Sequence, residues 1–315
     1  MRILLSTASA EQLRGEIAAL FADRPFEILT PPQGLAREFE AAFVSREITG
    51  KSTKLVLEPH TAAFFDGLRQ SKALRWVHIH SAGIDRPIYL ELQARGVEVT
   101  PSSGANAAVV AQTALAGILA LGRRFPQMME RQRSREWQSL VSALPPDLAG
   151  QVAVIIGWGP IGQALASWLE AIGLEVRVVR HSPERAGRRP TFAYEALPEA
   201  AVGAHWLVVA CPLTDRTRRL VDARVLAALP AGAHVVNVGR GEVVVEADLV
   251  AALQSGHLRG AYLDVFEKEP LATDSPLWAL PNVIVTPHSA GHSAGNEARV
   301  ARMFLDQLRR RLPVQ

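Results

Sequence analysis

The sequence predicts an α/β protein built from two doubly wound parallel-sheet units. Three observations carry that reading. Short apolar runs alternate with helical patterns along the chain, as parallel strands with covered faces require. About eleven such runs are more than a single sheet of ordinary size holds. The 315 residues, 48% of them hydrophobic, furnish two ordinary domains.

In the first unit, residues 2–6, 26–30, 54–57, 74–81 and 97–100 read as strands, with helices over 11–21, 35–43 and 62–70 between them. Residues 105–121 are apolar almost all round, which predicts a buried helix connecting the units. The charged stretch 123–148 ends in Pro145–Pro146 and predicts a helix and loop leading into the second unit. There the strand-like runs are 152–157, 175–180, 206–211, 234–238, 260–265 and 283–286.

Composition narrows the function classes. The opening MRILLSTASAEQLRGE has a three-residue apolar run before charges begin, so no signal peptide is expected. No apolar stretch approaches the length of a membrane span. The single cysteine, Cys211, excludes an internal disulfide framework and suits a reducing cytoplasm. Formal net charge is only +3, a poor footprint for nucleic-acid binding. The expectation is a soluble cytoplasmic protein with a small-molecule partner, and neither nucleic acid nor membrane.

The second unit opens with QVAVIIGWGPIGQALA, residues 151–166. Gly157, Gly159 and Gly162 follow a buried strand with the spacing of a Rossmann dinucleotide turn. The first glycine allows a tight turn, the second a close pyrophosphate, the third close packing of helix on sheet. Pro160 suits a first helical turn, whose free N–H groups attract phosphate. Trp158 and Ile161 complete the turn as candidate cofactor contacts.

Residues 176–189 read VRVVRHSPERAGRR. The residue ending the second strand of such a unit faces the adenine ribose, and a carboxylate there selects NAD. Here it is Arg180, which predicts a grip on the 2′-phosphate of NADP. His181, Ser182 and Arg185 join it as candidate contacts; Arg188 and Arg189 read equally as cofactor ligands or as a solvated loop.

Reacting groups are expected at other strand ends. VVNVGRGEVV places Arg240 after a buried strand, AYLDVFEKEP places Asp264 in a strand with Glu269 beyond it, and VIVTPHSAG puts His288 after another. An arginine suits a substrate carboxylate and a histidine moves a proton. A carboxylate holds the imidazolium and raises its pKa.

With these motifs, from AGID at 82–85 through GWGPIG, ACPLTDRTRRL, NVGRGEVV, LDVFEKEP and TPH, the chain resembles the D-isomer-specific 2-hydroxyacid dehydrogenases. The resemblance implies a Rossmann cofactor domain over 103–288. A flavodoxin-like, discontinuous substrate domain over 1–102 and 289–315 would complete the fold, with a cleft between that closes over substrate. It implies Arg240 as binder of the substrate carboxylate, His288 as general acid/base and Glu269 as its partner. Asp264 would touch the nicotinamide carboxamide. Cys211, Pro212, Thr217, Val238 and Gly239 would line the cofactor, and Ser81, Ala82 and Gly83 would cradle the substrate. A homodimer is implied as well.

Arg180 resembles the NADP-using glyoxylate and hydroxypyruvate reductase branch, which implies reduction of a small 2-oxo acid to a D-2-hydroxy acid. SSGAN at 102–106, Gln112 and the SAGHS after His288 depart from the family pattern and weaken transfer of substrate identity. A nucleotide-sensing corepressor and a formate- or phosphite-type NAD dehydrogenase are the competing readings. Residues outside the set read blandly: His60 as a loop histidine, His78 and His80 as packing, Cys211 by itself as a small apolar residue, and Trp137 as a domain or subunit contact. His288 and His292 lack the continuous helix a metal pair would use, so no metal is expected.

Overall fold

The computed structural model describes residues 1–22, 24–53, 56–182 and 186–312. The chain divides into two compact units, Met1–Asn106 with Ser293–Gln315, and Ala107–His292.

In the first unit, β1 (Arg2–Leu4), β2 (Glu27–Leu29), β3 (Ala41–Val44), β4 (Trp76–Ile79) and β5 (Glu98–Pro101) form a parallel sheet in the order β2-β1-β3-β4-β5. That is the flavodoxin-like order. The third strand is not the expected one. The helix read over 35–43 is a short 3-10 turn, Gln33–Ala36, followed by β3. The strand read over 54–57 falls partly outside the described residues, and Val56 and Leu57 are exposed and in no strand. A short apolar run such as AAFV fits helix or strand equally by periodicity. Pairing with β1 and β4, which buries all four residues, decides it.

One face of this sheet holds Phe64, Phe65, Leu68 and Tyr89; on the other, Phe304 stacks on Phe43 and Trp76. Phe304 comes from the returning helix Asn296–Arg311, which buries Val300, Ala301, Phe304, Leu305 and Leu308 along one stripe. Arg309, Arg310 and Arg311 occupy its last turn, where cations suit the helix dipole.

Three histidines, His78 and His234 buried and His80 half-buried, have their hydrogen bonds satisfied or their rings stacked. His78 pairs with Thr100 Oγ1 (2.9 Å) and Ser102 Oγ (3.0 Å), and His80 with Thr49 Oγ1 (2.9 Å). In the second unit His234 stacks on Trp206. Burial, assisted by nearby arginines, holds each imidazole down to about 4. Because the ordinary value is 6.5, the unfolded chain takes up protons between pH 6.5 and 4 that the folded chain refuses. Stability is therefore full above that window and is lost as pH falls through it. In His78→Gln, the slope of unfolding free energy against pH in this window should drop by about 1.4 kcal/mol per pH unit. Denaturant titrations at several pH values measure it, and parallel slopes for the two proteins would refute it.

In the second unit, β6 (Val152–Ile156), β7 (Glu175–Val179), β8 (Thr191–Phe192), β9 (Trp206–Val209), β10 (Ala233–Asn237), β11 (Leu258–Leu263) and β12 (Val283–Val285) form a parallel sheet in the order β12-β11-β10-β9-β6-β7-β8. This is the doubly wound dinucleotide-binding order with one further strand at the edge. Two residues of β8 are too few for a periodic sequence signal. The helix Ala107–Gly122 lies wholly in this unit. Gly117 lets it lie against β11, since a Cβ there would come within 2.6 Å of the Tyr262 ring.

The unit boundaries fall at 106/107 and 292/293 rather than at 102/103 and 288/289. Ala105 is tied to the first unit by Arg299, whose Nε donates to its carbonyl (2.5 Å). Ser289 and Ala290 are held in the second unit by Asp264. The helix Phe125–Ser134 buries none of its residues, and Trp137 beyond it is fully exposed.

Candidate functional site

Three glycines shape the turn between β6 and the helix Pro160–Ala171. Gly157 has φ +107°, and a Cβ there would lie 2.8 Å from the Ala210 and Cys211 backbone. Only glycine fits. Around Gly159 a Cβ would meet nothing within 4 Å, which leaves the backbone approachable from outside. At Gly162 a Cβ would sit 2.2 Å from the Gly157 carbonyl oxygen, so this glycine sets how closely helix meets strand. Pro160 opens the helix, while Trp158 and Ile161 are partly buried against the core. A pyrophosphate suits this cradle, because first-turn N–H groups are unpaired within the helix and point along its positive end.

At the end of β7, Arg180 is half-buried, its N–H donating to Phe192 O (3.0 Å). Its guanidinium has no hydrogen bond or ion pair among the described residues. Ser182 is half-buried, and His181 is exposed and bonded to Arg216. Arg185 lies outside the described residues, and Arg188 is exposed. Arg189 is committed elsewhere: it makes two bonds to Glu170 (2.8 and 2.6 Å) and lies 5.1 Å over the Trp158 ring. It braces the glycine-turn helix.

In the loop after β9 the side chains of two of the expected cofactor-lining residues face inward. Cys211 is buried, and burial pushes its thiol up to about 12. Thr217 is wholly buried; its hydroxyl donates to Pro212 O (2.7 Å) and accepts from Thr214 N (2.7 Å). Both side chains shape the loop from within, whereas Pro212 is exposed.

The polar groups converge beyond β10, β11 and β12. Val238 is buried, and Gly239 and Gly241 admit tight approaches, since Cβ atoms there would lie 2.8 Å from Cys211 O and 1.9 Å from Phe266 C. Between them Arg240 is half-buried, with Nη1 donating to Gly239 O (2.8 Å). Asn237, buried beneath, donates to Arg240 O (3.1 Å) and accepts from Gly239 N (3.1 Å), fixing the turn.

His288 adopts φ +51°, and its N–H donates to Asp264 O (2.8 Å). Its Nδ1 is 2.8 Å from Glu269 Oε2, and Phe266 N donates to Glu269 Oε1 (3.2 Å). Burial raises the Glu269 carboxyl, but His288, the Phe266 N–H and the charge of Arg240 outweigh it and hold the group below the ordinary carboxylate value. Glu269 is thus an anion at neutral pH, and its pairing is lost only as pH falls through that lowered value.

Asp264, which the resemblance assigns to the nicotinamide carboxamide, has several partners within the protein. The residue is 2% exposed, and its carboxylate is taken up by the turn that carries His288. Oδ1 accepts from Thr286 Oγ1 (2.6 Å) and Ser289 N (2.8 Å), and Oδ2 from Ala290 N (3.0 Å). Tyr262 Oη in turn pairs with Thr286 Oγ1 (2.8 Å). Asp264 therefore positions His288 from behind. Thr286, Asn237 and Arg216 were not singled out in the sequence; the Thr286 hydroxyl two residues before His288 was the one available signal.

In the first unit, Ser81, Ala82 and Gly83 form the turn after β4, with Ser81 Oγ donating to Gly83 O (2.9 Å). The N–H groups of Ala82 and Gly83 donate to no described residue, an arrangement suited to a carboxylate oxygen. His60 lies in the exposed first turn of the helix Pro59–Gln70, 4.0 Å from Glu58.

Residues 115–290 match the model of the D-isomer specific 2-hydroxyacid dehydrogenase NAD binding domain. The chain belongs to the D-isomer-specific 2-hydroxyacid dehydrogenases. It is 36% identical over 238 residues to glyoxylate/hydroxypyruvate reductase A of Arabidopsis thaliana, covering 75% of this chain and 74% of the other. It is 31% identical over 299 residues to glyoxylate/hydroxypyruvate reductase B of Escherichia fergusonii, covering 88% and 91%. A D-isomer specific 2-hydroxyacid dehydrogenase of Xanthobacter autotrophicus Py2, solved with NADPH and MES, superposes with a TM-score of 0.75 at 32% identity over 98% of this chain and 94% of that one. This 2-hydroxyacid dehydrogenase is an oxidoreductase with a nicotinamide cofactor, and its second unit carries the family's NAD-binding domain.

Proposed function

We propose that this 2-hydroxyacid dehydrogenase reduces small 2-oxo acids of the glyoxylate and hydroxypyruvate class to D-2-hydroxy acids, with NADPH preferred over NADH. The observation that carries the reading is the 2.8 Å pair of His288 and ionised Glu269 beside Arg240. Named glyoxylate/hydroxypyruvate reductases among its relatives support the substrate class, and the NADPH-bound Xanthobacter structure supports the cofactor.

The turn 157–162, with Arg180, His181, Ser182, the Cys211–Pro212 backbone and Val238–Gly239, would hold the dinucleotide. When bound, the nicotinamide supplies the hydride. His288 hands a proton to the oxygen forming at C2 and Glu269 stabilises its charged form, so proton transfer is oriented in advance. Arg240 anchors the substrate carboxylate through charge-assisted hydrogen bonds.

Initial rates with NADPH and NADH, each with glyoxylate, hydroxypyruvate, pyruvate and phenylpyruvate, test the reading for wild type and Arg180→Ala. NADPH should win by about tenfold or more in kcat/KM, and the variant should lose that margin. An NADH preference in the wild type would sink the cofactor assignment. Failure to turn over any of the four acids would sink the substrate class.

A further inference from the structure

Arg216 is an arginine whose function the catalytic and cofactor assignments leave open. It stands on the loop after β9, far in sequence from Arg180, yet its Nη1 lies 2.5 Å from His181 Nδ1 and 3.4 Å from Nε2. Its Nη2 donates to Glu195 Oε1 (2.6 Å). Three segments therefore meet at one point: the end of β7 with Arg180–Ser182, residues 194–195 after β8, and this loop.

The position is fixed from below. Thr217, the next residue, is wholly buried and closes the loop on Pro212 and Thr214. Arg180 is pinned by its backbone bond to Phe192. Both guanidiniums act on the same neighbour. Burial, then Cys211, pushes the Tyr194 phenol up, while the charges of Arg216 and Arg180 both pull it back.

Two guanidiniums and an imidazole gathered at the ribose-selecting strand end form a site for a dianion, not for a pair of ribose hydroxyls. Building on the NADPH reading, we propose that Arg216 is a specificity-determining residue that grips the cofactor's 2′-phosphate together with Arg180 and His181. Glu195 is the competing anion. It occupies one face of Arg216 and must yield it, or share it, when the phosphate binds. Its side chain is 67% exposed, so water receives the released carboxylate readily.

The test uses adenosine 2′,5′-bisphosphate and 5′-AMP as probes in titration calorimetry, alongside KM for NADPH and NADH. Wild type should bind the bisphosphate more tightly than AMP. Arg216→Ala should reduce that margin and raise KM for NADPH about tenfold, with KM for NADH and kcat almost unchanged. Arg216→Lys should recover part of the loss, and Glu195→Gln should tighten the bisphosphate without affecting AMP. A wild type that fails to distinguish the two probes overturns both the cofactor reading and this inference. A wild type that distinguishes them, with the margin intact in Arg216→Ala, overturns the inference alone. Equal weakening toward NADPH and NADH also overturns it, since that marks a prop for the loop.

Discussion

Replacing His288 by Gln should lower kcat for 2-oxo acid reduction by about 10²–10⁴-fold, the range a positioned general acid supplies. The imidazole is half-exposed and touches the protein chiefly through Glu269 and its own backbone, so the fold loses little. Steady-state rates at saturating cofactor measure the loss, and dinucleotide fluorescence checks that binding survives. Glu269→Gln should give a smaller loss, because the amide still orients the ring but carries no charge to stabilise the imidazolium. A His288→Gln enzyme within about threefold of wild type would remove His288 from the chemistry.

Asp264→Ala should destabilise the second unit by about 3 kcal/mol, as expected for breaking a buried hydrogen-bond network. The mutation strands the Ala290 N–H, the Ser289 N–H and the Thr286 hydroxyl, which now converge on one buried carboxylate. It also frees the turn that fixes His288, so kcat should fall further than KM for cofactor rises. Chemical denaturation gives the first quantity and initial rates the second. If Asp264 instead acted by touching the nicotinamide, Asp264→Asn would raise KM for NADPH while stability and kcat stayed near wild type. That outcome would overturn the positioning role.

The two readings of Asp264 show where sequence reasoning loses its grip. Its place in a strand of LDVF was plain, but whether its oxygens face a ligand or the next loop depends on how residues 286–290 fold back. No local pattern records that. Arg189 poses the same problem. By composition it belonged with a cluster of arginines, and only the packing of the helix Pro160–Ala171 reveals Glu170 as its partner. Arg216 is the converse case, an ordinary loop cation in sequence that the fold delivers to His181.

By itself, the sequence determined the parallel α/β class, the position of the glycine turn, and an arginine, a glutamate and a histidine near three strand ends. These follow from local requirements: apolar runs of strand length, glycines where φ or clearance admits nothing else, and turn residues after them. The tertiary structure alone decided that AAFV is the central strand β3, that Asp264 turns inward, that Arg189 braces a helix, and that Arg216 meets His181. Each of these is settled by partners distant in the chain. Burial and hydrogen-bond satisfaction are properties of the assembled neighbourhood, and a side chain's own stretch of sequence does not contain its neighbours.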